Sequence, residues 1–193
     1  MEMNRLLKGA VAAALLLVLS ACATSPTGRN QLMLVSEESA INASKTAYTE
    51  MLKPFEEKGK LDNDPALKAR VDRITGRIIA QAVIMRPETR KWDWSIRVID
   101  DPKTVNAWAM AGGKMAVYTG LIEQVKPTDD ELAQVLAHEV SHALAKHTAE
   151  KMSVAMATQL GILAVAASSE KKGAAAGAAC LLYTSPSPRD RYI

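Results

Sequence analysis

One capped, amphipathic helix constrains this 193-residue chain more than any other feature of its sequence. Thr128, followed three residues later by Glu131, forms a capping box. Acidic residues in the first turn complement the positive end of the helix dipole. Apolar residues then recur with helical period and predict one buried face, formed by Leu132, Val135, Leu136, Val140 and Ala143.

Two histidines lie one turn apart on this helix, in the run His138-Glu139-Val140-Ser141-His142. Residues four apart on an α-helix return to within roughly 40° of each other, so both imidazoles can reach one ion. Zinc held by two histidines and a third ligand keeps one position for water, and a neighbouring carboxylate can take the proton of that water. The pattern predicts His138 and His142 as Zn²⁺ ligands and Glu139 as the catalytic base.

The helical rotation also places Glu139 inside the apolar stripe. A carboxylate buried without a partner costs several kcal/mol or becomes protonated, so this glutamate needs a cation, a donor or a catalytic task. A metal site supplies that reason. The alternative interpretation is an amphipathic helix with two incidental histidines.

The third histidine, His147, does not complete the longer HExxHxxGxxH pattern. That pattern requires glycine and histidine where this chain has Ala145 and Thr148. On a continuous helix His147 would project about 180° away from His138, so we predict a structural or helix-end histidine. The third zinc ligand must come from elsewhere, most simply from a glutamate on a later helix.

No good candidate for that glutamate follows the motif. Glu150 is expected on the same helix, and Glu170 lies in a stretch rich in lysine and serine. The run CLLYTSPSPRD, within residues 180–193, back-translates into a transposon-end adapter used for sequencing libraries. We therefore expect residues 180–193 to be non-native and disordered, native sequence to stop near Ala179, and the chain to bind zinc weakly and to cleave little or nothing.

The N-terminus predicts export. Arg5 and Lys8 precede an apolar run over residues 10–19 that is too short to span a bilayer comfortably, which is typical of a secretory signal over residues 1–21. The run LSAC that ends at Cys22 resembles the bacterial lipobox, in which the cysteine is acylated after cleavage. The alternative is an ordinary signal peptide with an incidental cysteine.

Lipidation would attach the protein to the cell envelope without a spanning helix. Alanine follows Cys22 where aspartate would retain a lipoprotein, so the resemblance points to the inner leaflet of the outer membrane, facing the periplasm. Residues 22–35, rich in small and polar side chains, are expected to form a flexible tether. The membrane is therefore one predicted partner.

Charge and cysteine content exclude other classes. The second cysteine, Cys180, falls in the adapter-like run, so no disulfide is expected. Without its two ends the chain is nearly neutral, and no basic stripe with interleaved aromatic residues appears, so nucleic-acid binding is not expected.

The remaining residues, 36–179, suit one α+β domain that is mainly helical. One helix is predicted from Ser36 toward Met51, ended or kinked by Pro54, and a second begins at Asp64-Pro65. A strand is predicted over residues 92–98 by its alternating pattern. A small antiparallel hairpin beside the HExxH helix is predicted from residues 106–110 and 114–118, joined by Ala111-Gly112-Gly113.

The hairpin is a candidate binding edge, because an exposed strand can pair with an extended polypeptide through main-chain hydrogen bonds. Trp92, Trp94 and Trp108 are expected to be core residues rather than a substrate platform. The candidate substrate-binding residues are Asn106, Ala107, Trp108, Ala109, Gly112 and Gly113.

Two runs resemble the HtpX-like and CAAX-prenyl-endopeptidase group of gluzincin metallopeptidases: NAWAMAGGKMAVYTGLI (106–122) and DELAQVLAHEVSHALAKHTAEKM (130–152). The similarity covers roughly residues 36–167. Met110-Ala111 departs from the Leu-Pro often found there. The resemblance implies zinc on His138 and His142, catalysis by Glu139, and a third ligand from a glutamate in a downstream ExxxD-type helix.

The resemblance also implies a role of small lipobox-bearing members in protein quality control of the bacterial envelope. The predicted function is therefore a zinc endopeptidase that hydrolyses polypeptides. Two alternatives stay open: a non-catalytic envelope lipoprotein acting as a chaperone or assembly factor, and a metal-binding or sensing module. Residues 152–167 are expected to form a packed or interface helix rather than a membrane span, and Gly173–Gly177 a small-residue loop.

Overall fold

The computed structural model describes residues 22–24 and 28–168. Those up to Glu150 belong to one compact unit and those from Lys151 onward to a second. The predicted signal peptide, the Gly173–Gly177 loop and residues 180–193 lie outside the described residues.

The α+β prediction is confirmed: most of the described chain is helical, and three strands form a small mixed sheet. The elements in chain order are β1 (Cys22–Thr24), β2 (Asn30–Leu32), α1 (Glu37–Glu56), α2 (Pro65–Met85), a 3₁₀ helix (Pro87–Lys91), β3 (Ser95–Ile99), β4 (Ala107–Met110), β5 (Lys114–Tyr118), α3 (Thr119–Val125), α4 (Asp129–Leu144) and α5 (His147–Ser168).

The first two long helices begin where their capping residues predict. The Ser36 hydroxyl accepts a hydrogen bond from the Ser39 N–H at 3.1 Å, and the Asp64 carboxylate accepts from the first free N–H groups of α2. Helix α1 continues through Pro54 and ends at Glu56. Proline removes only one backbone donor, and here it does so in an exposed last turn, so the helix is not ended at Pro54.

The three-stranded sheet has the order β3-β5-β4. The predicted hairpin is confirmed, since β4 and β5 pair antiparallel, with Ala107 opposite Val117. Strand β3 pairs with β5 in parallel, which makes the sheet mixed. The prediction of a strand from residue 92 is wrong at its start: β3 begins at Ser95, because the Trp94 indole N–H donates to the Thr89 carbonyl of the 3₁₀ helix at 2.9 Å.

Two helices cover the sheet and share one apolar core with it. Helix α2 packs on α4 and β3, and α4 packs on β4. The tightest part of this core, with each residue at most 5% exposed, consists of Val71, Ile74, Ala82, Ile96, Val98, Met115, Val117, Leu132, Leu136 and Val140. The helix that carries both motif histidines is therefore fixed against the sheet by its buried side chains.

The paired glycines of the hairpin are required by close packing. A Cβ on Gly113 would lie 2.4 Å from Cε3 of Trp94, and one on Gly112 would lie 2.8 Å from Cγ2 of Ile41. Both glycines also have positive φ, +80° and +77°. Packing and backbone conformation thus explain Gly112 and Gly113, and their role in substrate binding stays a prediction.

The described parts of the predicted tether, residues 22–24 and 28–35, contain two short paired strands where composition predicts a flexible segment. Strands β1 and β2 pair antiparallel, with Ala23 opposite Gln31. Gln31 is only 3% exposed. The polar composition misleads here because the amide of Gln31 is satisfied by distant groups, which are described below.

None of the helices in the described part of the chain combines the length and apolarity needed to cross a bilayer. Several apolar side chains of α5 are nevertheless exposed, including Leu160 at 58% and Leu163 at 64%.

Candidate metal centre

The start of α4 is fixed by the predicted capping box. The Thr128 hydroxyl accepts from the Glu131 N–H, and the Glu131 carboxylate accepts from the Thr128 N–H at 2.8 Å. The Thr128 hydroxyl also donates to the Glu131 carboxylate at 2.9 Å, and the backbone and hydroxyl hydrogen bonds to this carboxylate lower the pKa of Glu131. Arg70 and Arg73 of α2 both donate to Asp129 and lower its pKa, so two helices are joined at this end.

The apolar face of α4 is buried as predicted except at one position. Leu132, Leu136, Val140 and Ala143 are at most 3% exposed, whereas Val135 is 37% exposed. Val135 lies on the edge of the stripe, where the sheet and α2 leave it uncovered. Because these four residues face the core, they fix the rotation of α4 about its axis and thereby the direction in which His138 and His142 point.

His138 and His142 face each other across one helical turn. Their Nε2 atoms are 3.1 Å apart, and their ring centroids are 4.5 Å apart. Two nitrogens bound to a tetrahedral zinc at about 2.05 Å would be about 3.3 Å apart, so the observed separation fits a shared ion with little adjustment.

Glu139 completes a compact donor group with the two histidines. One ligand atom of each of the three residues lies within 4.8 Å of the other two. Glu139 is half-buried rather than fully buried, so its carboxylate has access both to the centre and to solvent. Two imidazole nitrogens at this spacing fit zinc, and the carboxylate beside them is close enough to take a proton from a bound water rather than to serve as a ligand.

The expectation that Glu150 lies on the same helix as the motif is wrong, because the helix breaks before it. Helix α4 ends at Leu144, Lys146 adopts a left-handed φ of +60°, and α5 begins at His147. His147 is thus a helix-end histidine, and the break turns it back toward the motif. Its Nδ1 lies 2.7 Å from Nδ1 of His142.

Two distant side chains hold the backbone of this break. Arg86, about 9% exposed, donates to the Leu144 carbonyl at 2.9 Å, and the amide of Gln31 donates to the Ala145 carbonyl at 2.9 Å. Because these carbonyls have no partner within α4, such donors replace the missing helical hydrogen bonds. Sequence reasoning missed both residues, since neither belongs to a recognisable motif.

Glu150 has partners that explain it without a metal. Its carboxylate pairs with the Arg29 guanidinium and accepts from the Gln31 amide at 3.0 Å. The hydrogen bond from Arg29 is the main cause that lowers the pKa of Glu150, with a smaller effect from Gln31. Glu150 therefore belongs to the polar group that holds β2 to the helix break.

Of the candidate substrate residues, only Ala107 and Ala109 direct their backbone groups to the free side of β4. The Tyr118 N–H donates to the Asn106 carbonyl, so alternate residues of β4 face β5, and the backbone groups of Ala107 and Ala109 face away from it. The N–H of Ala107 is already taken by the Asn106 side chain at 2.9 Å. No strand in residues 22–24 or 28–168 pairs with this side of β4.

The aromatic residues are partly buried packing groups. Trp108 is half-buried and contacts Tyr48 edge-on with ring centroids 5.7 Å apart. Trp92 and Trp94 are half-buried and contact each other at 5.1 Å. Their contacts are consistent with the predicted core role.

A HExxH helix packed on an edge strand, with two facing imidazoles and an adjacent half-buried glutamate, defines the class of zinc-dependent metallopeptidases. The chain belongs to peptidase family M48, whose family model matches residues 65–188, more than half of the chain. The match extends beyond residue 180, into the adapter-like run. The narrower HtpX-like and CAAX-prenyl-endopeptidase group stays a prediction.

Proteins similar to this chain are named metalloendopeptidases or metalloproteases. The mitochondrial metalloendopeptidase OMA1 of Schizosaccharomyces pombe is 41% identical over 80 residues, which are 42% of this chain and 23% of the relative. The human mitochondrial metalloendopeptidase OMA1 is 30% identical over 126 residues, 65% of this chain and 23% of the relative. The metalloprotease LoiP of Escherichia coli is 43% identical over 56 residues, 29% of this chain and 21% of the relative. The chain thus spans about a quarter or less of these relatives.

Proposed function

We propose that the full-length protein is a zinc-dependent endopeptidase that hydrolyses polypeptides. The observation that carries this proposal is the facing pair of imidazoles with Glu139 beside them. When bound, zinc would polarise the scissile carbonyl and lower the pKa of a water molecule. His138 and His142 would hold it through Nε2.

Glu139 performs the proton transfers in this proposal. Its carboxylate accepts a proton from the attacking water and then donates that proton to the nitrogen of the departing amine. Half-burial suits this task, because the carboxylate can reach both the centre and the water that it deprotonates. Neither step requires a covalent bond between the enzyme and the substrate.

The substrate class is an extended polypeptide, including misfolded proteins. The backbone groups of Ala109 and the carbonyl of Ala107 face the free side of β4, beside the helix that carries the motif. An extended segment added there would pair through main-chain atoms, which makes binding largely independent of sequence. Asn106 and Trp108, two positions apart in the chain, stay candidate contacts of that segment.

The third zinc ligand is a glutamate outside the described residues. Within residues 28–168 the only group of three donors close enough for a metal is His138, Glu139 and His142, and Glu139 is assigned to catalysis. A chain that lacks this glutamate should therefore bind zinc weakly and cleave little. The full-length protein should bind zinc tightly and cleave polypeptides.

The location in this proposal is the bacterial envelope, with Cys22 acylated and the protein facing the periplasm from the inner leaflet of the outer membrane. The LSAC run and the preceding apolar segment support it. Because β1 begins at Cys22, the anchored residue would lie at the start of a strand rather than at the end of a long tether.

The lipid anchor is tested by metabolic labelling with a radioactive or clickable fatty acid in a bacterial host. The wild-type protein should incorporate the label and sediment with membranes, and Cys22→Ser should do neither. Equal labelling of both proteins would contradict the anchor and leave the peptidase proposal intact.

A non-catalytic envelope lipoprotein is the second candidate. It would not require a half-buried glutamate between two histidines whose ring nitrogens face each other. A zinc sensor would use these histidines but has no task for Glu139. The donor geometry therefore favours the peptidase over both alternatives.

Metal removal tests the peptidase proposal directly. The full-length protein should degrade casein, lose this activity in a zinc chelator, and regain it when zinc is restored to one equivalent. The chelator inactivates because the two imidazoles alone leave no charged group to polarise the carbonyl. Casein degradation that persists after complete zinc removal would contradict the proposal.

A further inference from the structure

The break between α4 and α5 brings a third imidazole to the back of His142. Nε2 of His142 faces His138 at 3.1 Å, and Nδ1 of the same ring lies 2.7 Å from Nδ1 of His147. His142 is therefore held at both nitrogens. The ring planes of His142 and His147 are tilted by 44°, with centroids 4.9 Å apart.

We propose that His147 is a positioning residue that fixes the ring orientation and the tautomer of the metal ligand His142. This inference rests on the proposed function, in which His142 binds zinc through Nε2. A neutral imidazole carries one N–H, and the nitrogen that binds a metal must offer its lone pair. The proton of His142 is therefore on Nδ1, and His147 accepts it through its own Nδ1.

Partners of this kind, which bind the second nitrogen of a metal-bound histidine, are commonly carboxylates or backbone carbonyls. Here the partner is an imidazole, and its placement depends on the conformation of Lys146, whose φ is +60°. A non-glycine residue in this region needs support from its surroundings. Arg86 and Gln31 supply it by donating to the two carbonyls before Lys146.

The variants His147→Phe and His147→Asn separate positioning from packing. Phenylalanine keeps a ring but removes the acceptor, whereas asparagine places an oxygen close to the position of the lost Nδ1. We expect His147→Phe to weaken zinc binding by about 10- to 100-fold. His147→Asn should restore most of that loss, and Thr148→Val serves as the neighbouring control.

The zinc affinity of the full-length protein is measured by competition with a chromophoric chelator. A second readout is the scalar coupling across the N–H···N hydrogen bond between His142 Nδ1 and His147 Nδ1 in the zinc-loaded, full-length wild-type protein. A merely structural residue would show no such coupling. Because this readout uses the wild-type chain, it stands even if a variant fails to fold.

The outcomes are distinct. A coupling together with weaker zinc binding by His147→Phe and rescue by His147→Asn supports the inference. If wild type binds zinc at His138 and His142, this inference alone is overturned by either of two results. One is an unchanged zinc affinity in His147→Phe, and the other is the absence of the His142–His147 scalar coupling in wild type. A wild-type full-length protein that binds no zinc overturns the proposed function and this inference with it.

Discussion

Replacing Glu139 by glutamine in the full-length protein should lower kcat/KM for polypeptide cleavage at least about 100-fold while zinc remains bound. The amide has nearly the same shape as the carboxylate but cannot accept the proton of water. His138→Ala should instead lose both zinc and cleavage, because one imidazole of the facing pair is removed. Zinc content and initial rates on a fluorogenic peptide, measured on the same preparations, check both expectations.

Glu123→Gln is a matched control, because Glu123 is an exposed glutamate on α3. It should retain both zinc and activity. Unchanged cleavage in Glu139→Gln would remove that residue from the chemistry. Full zinc content in His138→Ala would show that the metal is bound elsewhere.

The second large effect is expected in the core beneath the motif. Leu136→Ala should lower the free energy of unfolding by about 2–5 kcal/mol, because Leu136 is 1% exposed and its removal leaves a cavity between α4 and the sheet. Urea unfolding followed by circular dichroism measures the change. The midpoint should fall while the slope stays the same.

The preceding residue provides the control. Val135 is 37% exposed, so Val135→Ala should change the free energy of unfolding by less than about 0.5 kcal/mol. Equal losses in the two variants would mean that α4 is not held by the face assigned to it. The zinc-binding pair would then lack the support described above.

The elements that the sequence predicts well are those whose signals are local. The capping box at Thr128 and Glu131 acts over one helical turn, and the hairpin depends on two adjacent glycines. The motif histidines follow from helical spacing alone, so their facing arrangement is predictable. The start of α2 is predictable for a local reason too, because Asp64 caps the N–H groups of the next few residues.

The helix break at Lys146 is not predictable in this way. Its left-handed conformation is unusual for lysine and depends on Arg86 and Gln31, which lie 58 and 114 residues away from their acceptors in the chain. No local pattern reports such contacts. As a result, the partnership of His147 with His142 emerges only from the folded structure.

Contacts between residues far apart in the chain also explain why the prediction of a flexible tether over residues 22–35 is wrong for Gln31. A stretch of small and polar residues predicts flexibility, but Gln31 is buried because the Ala145 carbonyl and Glu150 satisfy its amide. Trp94 likewise reads as a strand residue, whereas its indole N–H binds Thr89 and its ring covers Gly113. Long-range partners override the local pattern in both cases.

X-ray absorption spectroscopy at the zinc edge, on the zinc-loaded Glu139→Gln full-length protein, tests the central claim most directly. Two histidine rings with further oxygen ligands at about 2.0–2.1 Å are expected, and His138→Ala should remove this signal. A sulfur shell at about 2.3 Å, or a zinc environment without two imidazoles, would contradict a metal centre built on His138 and His142.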